Sequence, residues 1–235
     1  MDLSPLRIGL AILNRNEEAA LPTVLAGIPR DAVDLYFCVD GGSTDRSRQI
    51  LAELAIDVLP DAPAGRGEAF RLAFDHARGR VDALILFSAD GNENPADIVR
   101  FKPLFAQGAD VVIASRMMPG ATNEEDRQVL RLRKWANLAF SRVAHAAFGR
   151  GQPFITDSIN GFRGFTLDAW DRLAIGGNGY TVEYHSSIRA YRSRLKVVEF
   201  PTHEGQRIGG ESGAKAVPTG LALLGILAGE MRRSG

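Results

Sequence analysis

Four short polar clusters in this chain carry residue types that could do chemistry. Asp90-Gly91-Asn92 sets an acid and an amide at i and i+2. Placed beyond a strand, such a pair presents two hard oxygens to one divalent cation, Mg2+ or Mn2+. Asp40 precedes Gly41, Gly42, Ser43 and Thr44; its carboxylate can accept from a base N–H or a ribose hydroxyl, and the glycines admit a ligand close to the backbone. Gly65-Arg66-Gly67 opens a helix-like segment, where flexible backbone, a cation and free N–H groups suit phosphate oxygens. Asn14-Arg15-Asn16-Glu17-Glu18 follows the first apolar run. Three of the clusters also have a plain structural reading: a βα turn capped by Ser43 or Thr44, a solvated Arg66, an Asx turn over 90–92. The chain contains no GxxxxGK[ST] or GxSxG sequence, and its four histidines lack metal-ligand spacing.

These clusters need a scaffold that brings them to one place. Apolar runs over 8–13, 35–39, 56–59, 83–87 and 111–114 predict buried strands. Helices are predicted between them, over 19–27, 45–54, 68–78 and 96–107, the last started by Asn94 as cap and Pro95 in the first turn. Such alternation implies βαβ units and a mostly parallel central sheet flanked by helices, an α/β fold. Ligands of such sheets bind beyond the carboxyl ends of the strands, where the polar clusters fall. The second half reads as one long or broken helix over 123–148, a strand near 162–166, a helix over 182–194 and a strand over 196–200. A polar Gly-rich loop over 202–215 and an apolar helix over 218–231 follow.

Composition narrows the class. Of 235 residues, 28 are Lys or Arg and 28 Asp or Glu, so the formal charge is zero and no basic surface for nucleic acid is expected. Cys38 is the single cysteine, which excludes an internal disulfide framework and suits a reducing cytoplasm. No apolar run reaches the length of a spanning helix and no signal-peptide pattern is present, so a soluble or peripheral membrane protein is expected.

Taken together, Asn16-Glu17, Val39-Asp-Gly-Gly-Ser-Thr-Asp45, Gly65-Arg-Gly-Glu-Ala69, Ser88-Ala-Asp-Gly-Asn92, Ala114-Ser-Arg116, Asp157-Ser-Ile-Asn-Gly-Phe-Arg163 and the segment from Arg207 to Lys215 occur in the order of family 2 inverting glycosyltransferases. The chain resembles most the polyprenyl- and dolichyl-phosphate mannosyltransferases, over residues 12–215. The resemblance implies a GT-A (Rossmann-like) fold in a single domain over 1–235. Within it, 1–116 would bind the nucleotide sugar, 117–217 the acceptor, and 218–231 form a C-terminal helix. It implies that Asn16, Glu17, Asp40, Gly42, Arg66, Gly67, Asp90, Arg207, Ser212 and Lys215 bind the donor, and that Asp90 and Asn92 hold Mg2+ or Mn2+. Arg116, Arg131 and Arg163 would face the acceptor, with Asp90, Arg116 and Asp157 as the catalytic set. Ser88 stands where the family usually has the first acid of its metal motif, and Gly41 where it usually has a second acid after Asp40; both changes remove negative charge from the pocket.

The implied partners are a nucleotide-sugar donor, GDP-mannose before UDP-sugars, and a polyprenyl phosphate. A phosphate nucleophile needs cations to hold it, whereas a soluble hydroxyl acceptor would need a carboxylate base, with Asp157 or Glu183 as candidates. A binding protein that has lost turnover is a third reading, raised by Ser88 and Gly41. Arg127, Arg131 and Lys134 share a helix face beside Arg133 and Trp135, and suit either solvent or a phosphate head group. Leu221, Leu224 and Leu227, with Arg232 and Arg233, suit core packing, a homodimer contact or the inner face of a membrane.

Overall fold

Strands buried on both faces carry no polar alternation, and β1 (Ile8–Asn14) is of this kind, with six of its seven residues buried. The computed structural model describes residues 5–59, 65–126, 128, 131–175, 181–209 and 216–233. Besides β1 the sheet contains β2 (Leu35–Asp40), β3 (Val58–Leu59), β4 (Ala83–Ser88), β5 (Val111–Ser115), β6 (Arg163–Thr166) and β7 (Val197–Pro201). Their order is β3-β2-β1-β4-β6-β5-β7. Every ladder is parallel except those of β6, which runs antiparallel to both β4 and β5. The mixed, mostly parallel sheet is the expected one.

Helices cover both faces. On one side Ile8, Leu10, Ile12, Ile85 and Phe87 pack with residues of α1 (Leu21–Gly27), α2 (Ser47–Glu53) and α4 (Phe101–Ala106). On the other, Ala11, Phe37, Leu84 and Leu86 pack with α3 (Arg66–Ala77), α6 (Leu167–Leu173) and α7 (Val182–Arg192). This second layer also takes in α5 (Leu132–Phe148) through Ala144, and α8 (Ala216–Arg232) through Leu223 and Leu227. The far end of α8 is fastened by a buried carboxylate: Glu230 faces His185 Nε2 at 3.1 Å and accepts from Arg189 Nε at 2.8 Å, both on α7.

Three local differences from the sequence reading have physical causes. The helix expected over 123–148 begins only at Leu132, because Asn123 and Asp126 close a turn on each other. Buried Glu125 then accepts from the backbone N–H groups of Arg133 (3.4 Å) and Lys134 (2.9 Å), capping α5 from outside the helix. The expected Asn94 cap is present, its side chain accepting from Ala96 N at 3.2 Å, but the first turn it starts is a 3-10 segment, Pro95–Arg100, ahead of α4. Helix α6 was not expected. Thr166 caps it by accepting from Ala169 N, and it delivers Trp170 onto Phe74, ring centroids 4.2 Å apart and 7° from parallel.

That stacked pair closes the core between α3 and α6. Trp170→Ala is expected to lower unfolding free energy in urea by about 3–5 kcal/mol, the usual cost of truncating a buried aromatic. Leu221→Ala, on an exposed face, is expected to stay within about 0.5 kcal/mol.

Candidate active site

The carboxyl ends of β1, β2, β4 and β5 open onto one cleft of about 1090 Å³, roofed by the first turns of α5 and α8 and by the loop over 202–209. This is where a parallel sheet offers its loops to a ligand. The reversed strand β6 contributes from its amino end, so that Ile159, Asn160 and Gly161 reach the same cleft.

One chain of contacts runs along it. Arg207, from the loop after β7, pairs with Glu17 at the end of β1 and donates from Nη1 to Asp90 Oδ2 at 2.8 Å. Two residues beyond Asp90, Asn92 Nδ2 lies 3.5 Å from Glu204 Oε1. Glu204 accepts from Arg116 Nη1 at 2.9 Å and from Asn123 Nδ2 at 2.8 Å. Arg116 is held from behind by Asp157, which accepts from its Nε at 2.8 Å and its Nη2 at 3.0 Å. The loop over 202–209 is also tied by its backbone, Gly205 N to Asn92 O and Ile208 N to Asp90 O.

Thus Glu17, Asp90, Asn92, Arg116 and Arg207 line one cleft, as do Asn16 and Arg66. Asp40 lies just beneath. It is fully buried, accepting from Asn14 Nδ2, from Ser43 N and Oγ and from Arg48. Burial alone would raise its carboxyl pKa, but these donors outweigh it and hold the group below the usual range. Gly42 turns the chain here at φ +79°, a conformation that favours glycine. Asn16 accepts from Thr44 N at 2.7 Å and so ties the β1 loop to this turn. Gly67 is buried in the first turn of α3.

Three expectations are corrected. Asp157, expected in the catalytic set, is fully buried beneath Arg116 and also accepts from Asn137 Nδ2 at 2.6 Å, so it orients Arg116 and is absent from the cleft lining. Arg163, expected to face the acceptor, is fully buried: it donates to Asn160 O, Glu183 O and the hydroxyls of Ser186 and Ser187, bracing β6 against α7. Burial pushes its pKa down to about 10. Arg131 points away to Asp126, whose backbone oxygen it meets at 2.8 Å. Arg127, Ser212 and Lys215 lie outside the described residues.

Besides Glu124, two acids passed over in the sequence belong to the lining. Glu204 is the hub between Arg116 and Asn92. Glu93 accepts from Ser88 N at 2.7 Å, and burial with the neighbouring Asp90 charge pushes its pKa up to about 8. Glu17 is likewise raised to about 7, mainly by burial and against the pull of Arg207. The signal for both acids was position alone: Glu93 follows Asn92, and Glu204 precedes Arg207 by three residues.

The donors at Asp90 and Asn92 suit a hard cation in small number. The Oδ1 of Asn92 is buried with no hydrogen-bond partner, and the Asp90 carboxylate stands two residues away. Among the described residues no cluster of three acids, histidines or cysteines could hold a metal, so a cation here would draw its other ligands from phosphate and water.

Residues 10–169 match the family model of Glycosyl transferase family 2. The chain belongs to that family. Among relatives of this family 2 glycosyltransferase, the polyprenol monophosphomannose synthase of Mycolicibacterium smegmatis is 28% identical over 200 residues, covering 79% of this chain and 72% of the relative. The undecaprenyl-phosphate mannosyltransferase of Micrococcus luteus is 27% identical over 230 residues, covering 94% and 93%. Glycosyltransferase AglJ of Haloferax volcanii is 26% identical over 191 residues, 80% of this chain but 59% of the relative's length. In fold, the glycosyltransferase is similar to glucosyl-3-phosphoglycerate synthase of Mycobacterium tuberculosis, solved with Mn2+, uridine-diphosphate-glucose and phosphoglyceric acid. The TM-score is 0.72 at 16% identity, over 96% of this chain and 80% of that one. The same enzyme was solved with Mg2+ and uridine-diphosphate, TM-score 0.70 at 17% identity.

The raised Glu93 fixes a pH dependence. A carboxyl whose folded pKa lies near 8 against an ordinary 4.5 keeps its proton in the native state while the unfolded chain loses it, so stability falls as pH rises through that window. Glu93→Gln is therefore expected to melt with wild type at pH 4 and above it at pH 8.5, as followed by circular dichroism.

Proposed function

We propose that this chain transfers a hexose, with inversion, from a nucleotide-diphosphate sugar to a polyprenyl phosphate at the inner face of a membrane. GDP-mannose is the first donor to test and UDP-sugars the next. The observation that carries this reading is the composition of one continuous cleft. Glu17, Asp90, Arg66 and Arg207 line it together with the apolar Leu132, Phe140 and Leu223 of α5 and α8. A ligand with a charged head and an apolar chain matches both.

Inversion is a single in-line displacement: an acceptor phosphate oxygen bonds to the anomeric carbon as the bond to the departing diphosphate breaks. A phosphate monoester is largely dianionic at neutral pH and brings its own nucleophile. The carboxylates of the cleft fit that demand. Glu183, a base expected for a hydroxyl acceptor, is paired with Arg66, and Asp157 is spent on Arg116. Glu93 is a poor base at neutral pH, its pKa pushed up to about 8 by burial and by the Asp90 charge. Arg116, with its charge fixed and its orientation set by Asp157 and Glu204, would hold the acceptor phosphate. Arg207 and Arg66 would meet the donor diphosphate, with Glu17 and the Asp40 turn beside the nucleoside. Asp90 and Asn92 would hold a divalent cation, Mg2+ or Mn2+, whose chemistry is to neutralise charge on the leaving diphosphate. In this reading 1–116 carries most of the donor site and 117–217 most of the acceptor site, with Arg116 and Arg207 each serving the other half's substrate.

Among the described residues no helix is long and apolar enough to cross a membrane. Helices α5 and α8, whose first turns line the cleft, expose Leu132 (62%), Trp135 (55%), Leu221 (66%) and Leu224 (51%) to solvent, with Arg131 and Arg133 at the start of α5. We assign this rim to peripheral contact with anionic lipid, a basic and apolar combination that suits an interface. A homodimer through α8 would use the same side chains.

The decisive assay incubates the chain with labelled GDP-mannose or UDP-glucose and a detergent-solubilised polyprenyl phosphate. A lipid-linked sugar of inverted anomeric configuration is expected, and none from any donor would overturn the proposal. Arg116→Ala is expected to lower kcat/KM for the lipid phosphate by about 10²–10³, as removal of an oriented oxyanion donor does. Trp135→Ala combined with Leu224→Ser is expected to abolish co-sedimentation with phosphatidylglycerol vesicles while leaving donor binding unchanged. Loss of a dimer in light scattering, with vesicle binding intact, would assign the rim to self-association.

A further inference from the structure

Three of the five arginines that line the cleft stand in different electrostatic company. Arg207 has two carboxylate partners, Glu17 and Asp90, and Arg116 has two, Asp157 and Glu204. Arg66 has one, Glu183, which takes its Nε. Its Nη2 donates to the neutral Ser88 hydroxyl at 3.1 Å, and among the described residues nothing accepts from Nη1. A guanidinium presents five N–H groups in a planar fork, so Arg66 keeps an open side toward the cleft that suits two oxyanions at once.

The surroundings protect this arrangement. A methyl group on Gly161 would overlap the Nη2 end of Arg66, so the absence of a side chain there makes room for the guanidinium. The Phe70 ring lies below, 5.7 Å from Cζ to centroid. Burial disfavours the charged guanidinium, but the neighbouring Glu183 carboxylate first, and Asp90 after it, outweigh it and keep Arg66 cationic. An acid at position 88 would stand where the Ser88 hydroxyl does and close the fork on itself.

We infer that Arg66, seated against neutral Ser88, is a built-in countercharge for the donor's diphosphate, so that the chain binds a nucleoside diphosphate without a divalent cation. The inference rests on the sugar-transfer reading and deepens it. A cation at Asp90 and Asn92 then adds to binding and is not its condition. Ser88 is thereby a specificity-determining residue, since it decides whether the floor of the cleft is cationic on its own or only after metal is added.

Isothermal titration of GDP and of UDP into the full chain, in EDTA and in Mn2+, tests this without turnover. Wild type is expected to bind one nucleotide in EDTA with a Kd within about fivefold of that in Mn2+, a difference of about 1 kcal/mol. Ser88→Asp is expected to weaken binding in EDTA by at least about tenfold and to regain it in Mn2+. Gly161→Ala, which displaces the guanidinium with no change of charge, is expected to weaken binding in EDTA, and Arg66→Gln to do so further. Arg66→Lys keeps the charge beside Glu183 and loses the fork; an intact melting curve with weakened EDTA binding separates a ligand-binding role from a bracing one. Wild type that binds in Mn2+ but not in EDTA would overturn the inference and leave the transfer reading standing. So would an Arg66→Gln protein that binds like wild type in EDTA. No binding of either nucleotide in either buffer would overturn both.

Discussion

Carboxylates crowded at the ends of neighbouring strands must be neutralised, and guanidinium groups from distant parts of the chain do it here. Glu17 and Asp90 share Arg207, while Asp157 and Glu204 share Arg116. An acid left unpaired in such a place would take up a proton or drive the loops apart. The partners come from far along the sequence: Arg207 lies 190 residues from Glu17, and Arg116 lies 88 from Glu204. The pairing therefore closes the loop over 202–209 onto the sheet and orients the cationic groups of the cleft in the same act.

The same constraint explains why the site is layered. Asp40, Asp157 and Arg163 are fully buried and spend their hydrogen bonds on the protein. Above them Asn16, Arg66, Asp90, Arg116 and Arg207 reach the cleft. A fully satisfied polar layer beneath a binding surface fixes its geometry, since each surface group has few alternative partners. Substitutions in the lower layer change the upper one by moving it.

Much of the sheet, and the gathering of its polar clusters at one cleft, was legible in the chain. The runs at 8–13, 83–87 and 111–114 are apolar throughout because both faces of their strands are covered, and the polar clusters after them fall at the open ends. What could not be read depended on tertiary context. The start of α5 is set by the Glu125 side chain eight residues upstream of the N–H group it nears, outside any helical pattern. Arg163 looks like a surface cation until its neighbours on α7 are in place. Asp157 looks like a base until Arg116 is seen to lie across it. Glu93 and Glu204 sit in irregular segments with no periodicity to mark which side they face.

The reversal of β6 between two forward-running neighbours has an effect on how the molecule can vary. Strands β1, β2, β4, β5 and β7 deliver their functional residues at or beyond their carboxyl ends, whereas β6 delivers 159–161 before it begins. Segments that enter one strand and leave the adjacent ones therefore border the same rim without being joined in sequence. A change of length on the entering segment would reshape one wall of the cavity while the ladders on either side kept their register. Such a sheet can be refitted to a new ligand by editing a single connection, with the other walls of the cleft inherited intact.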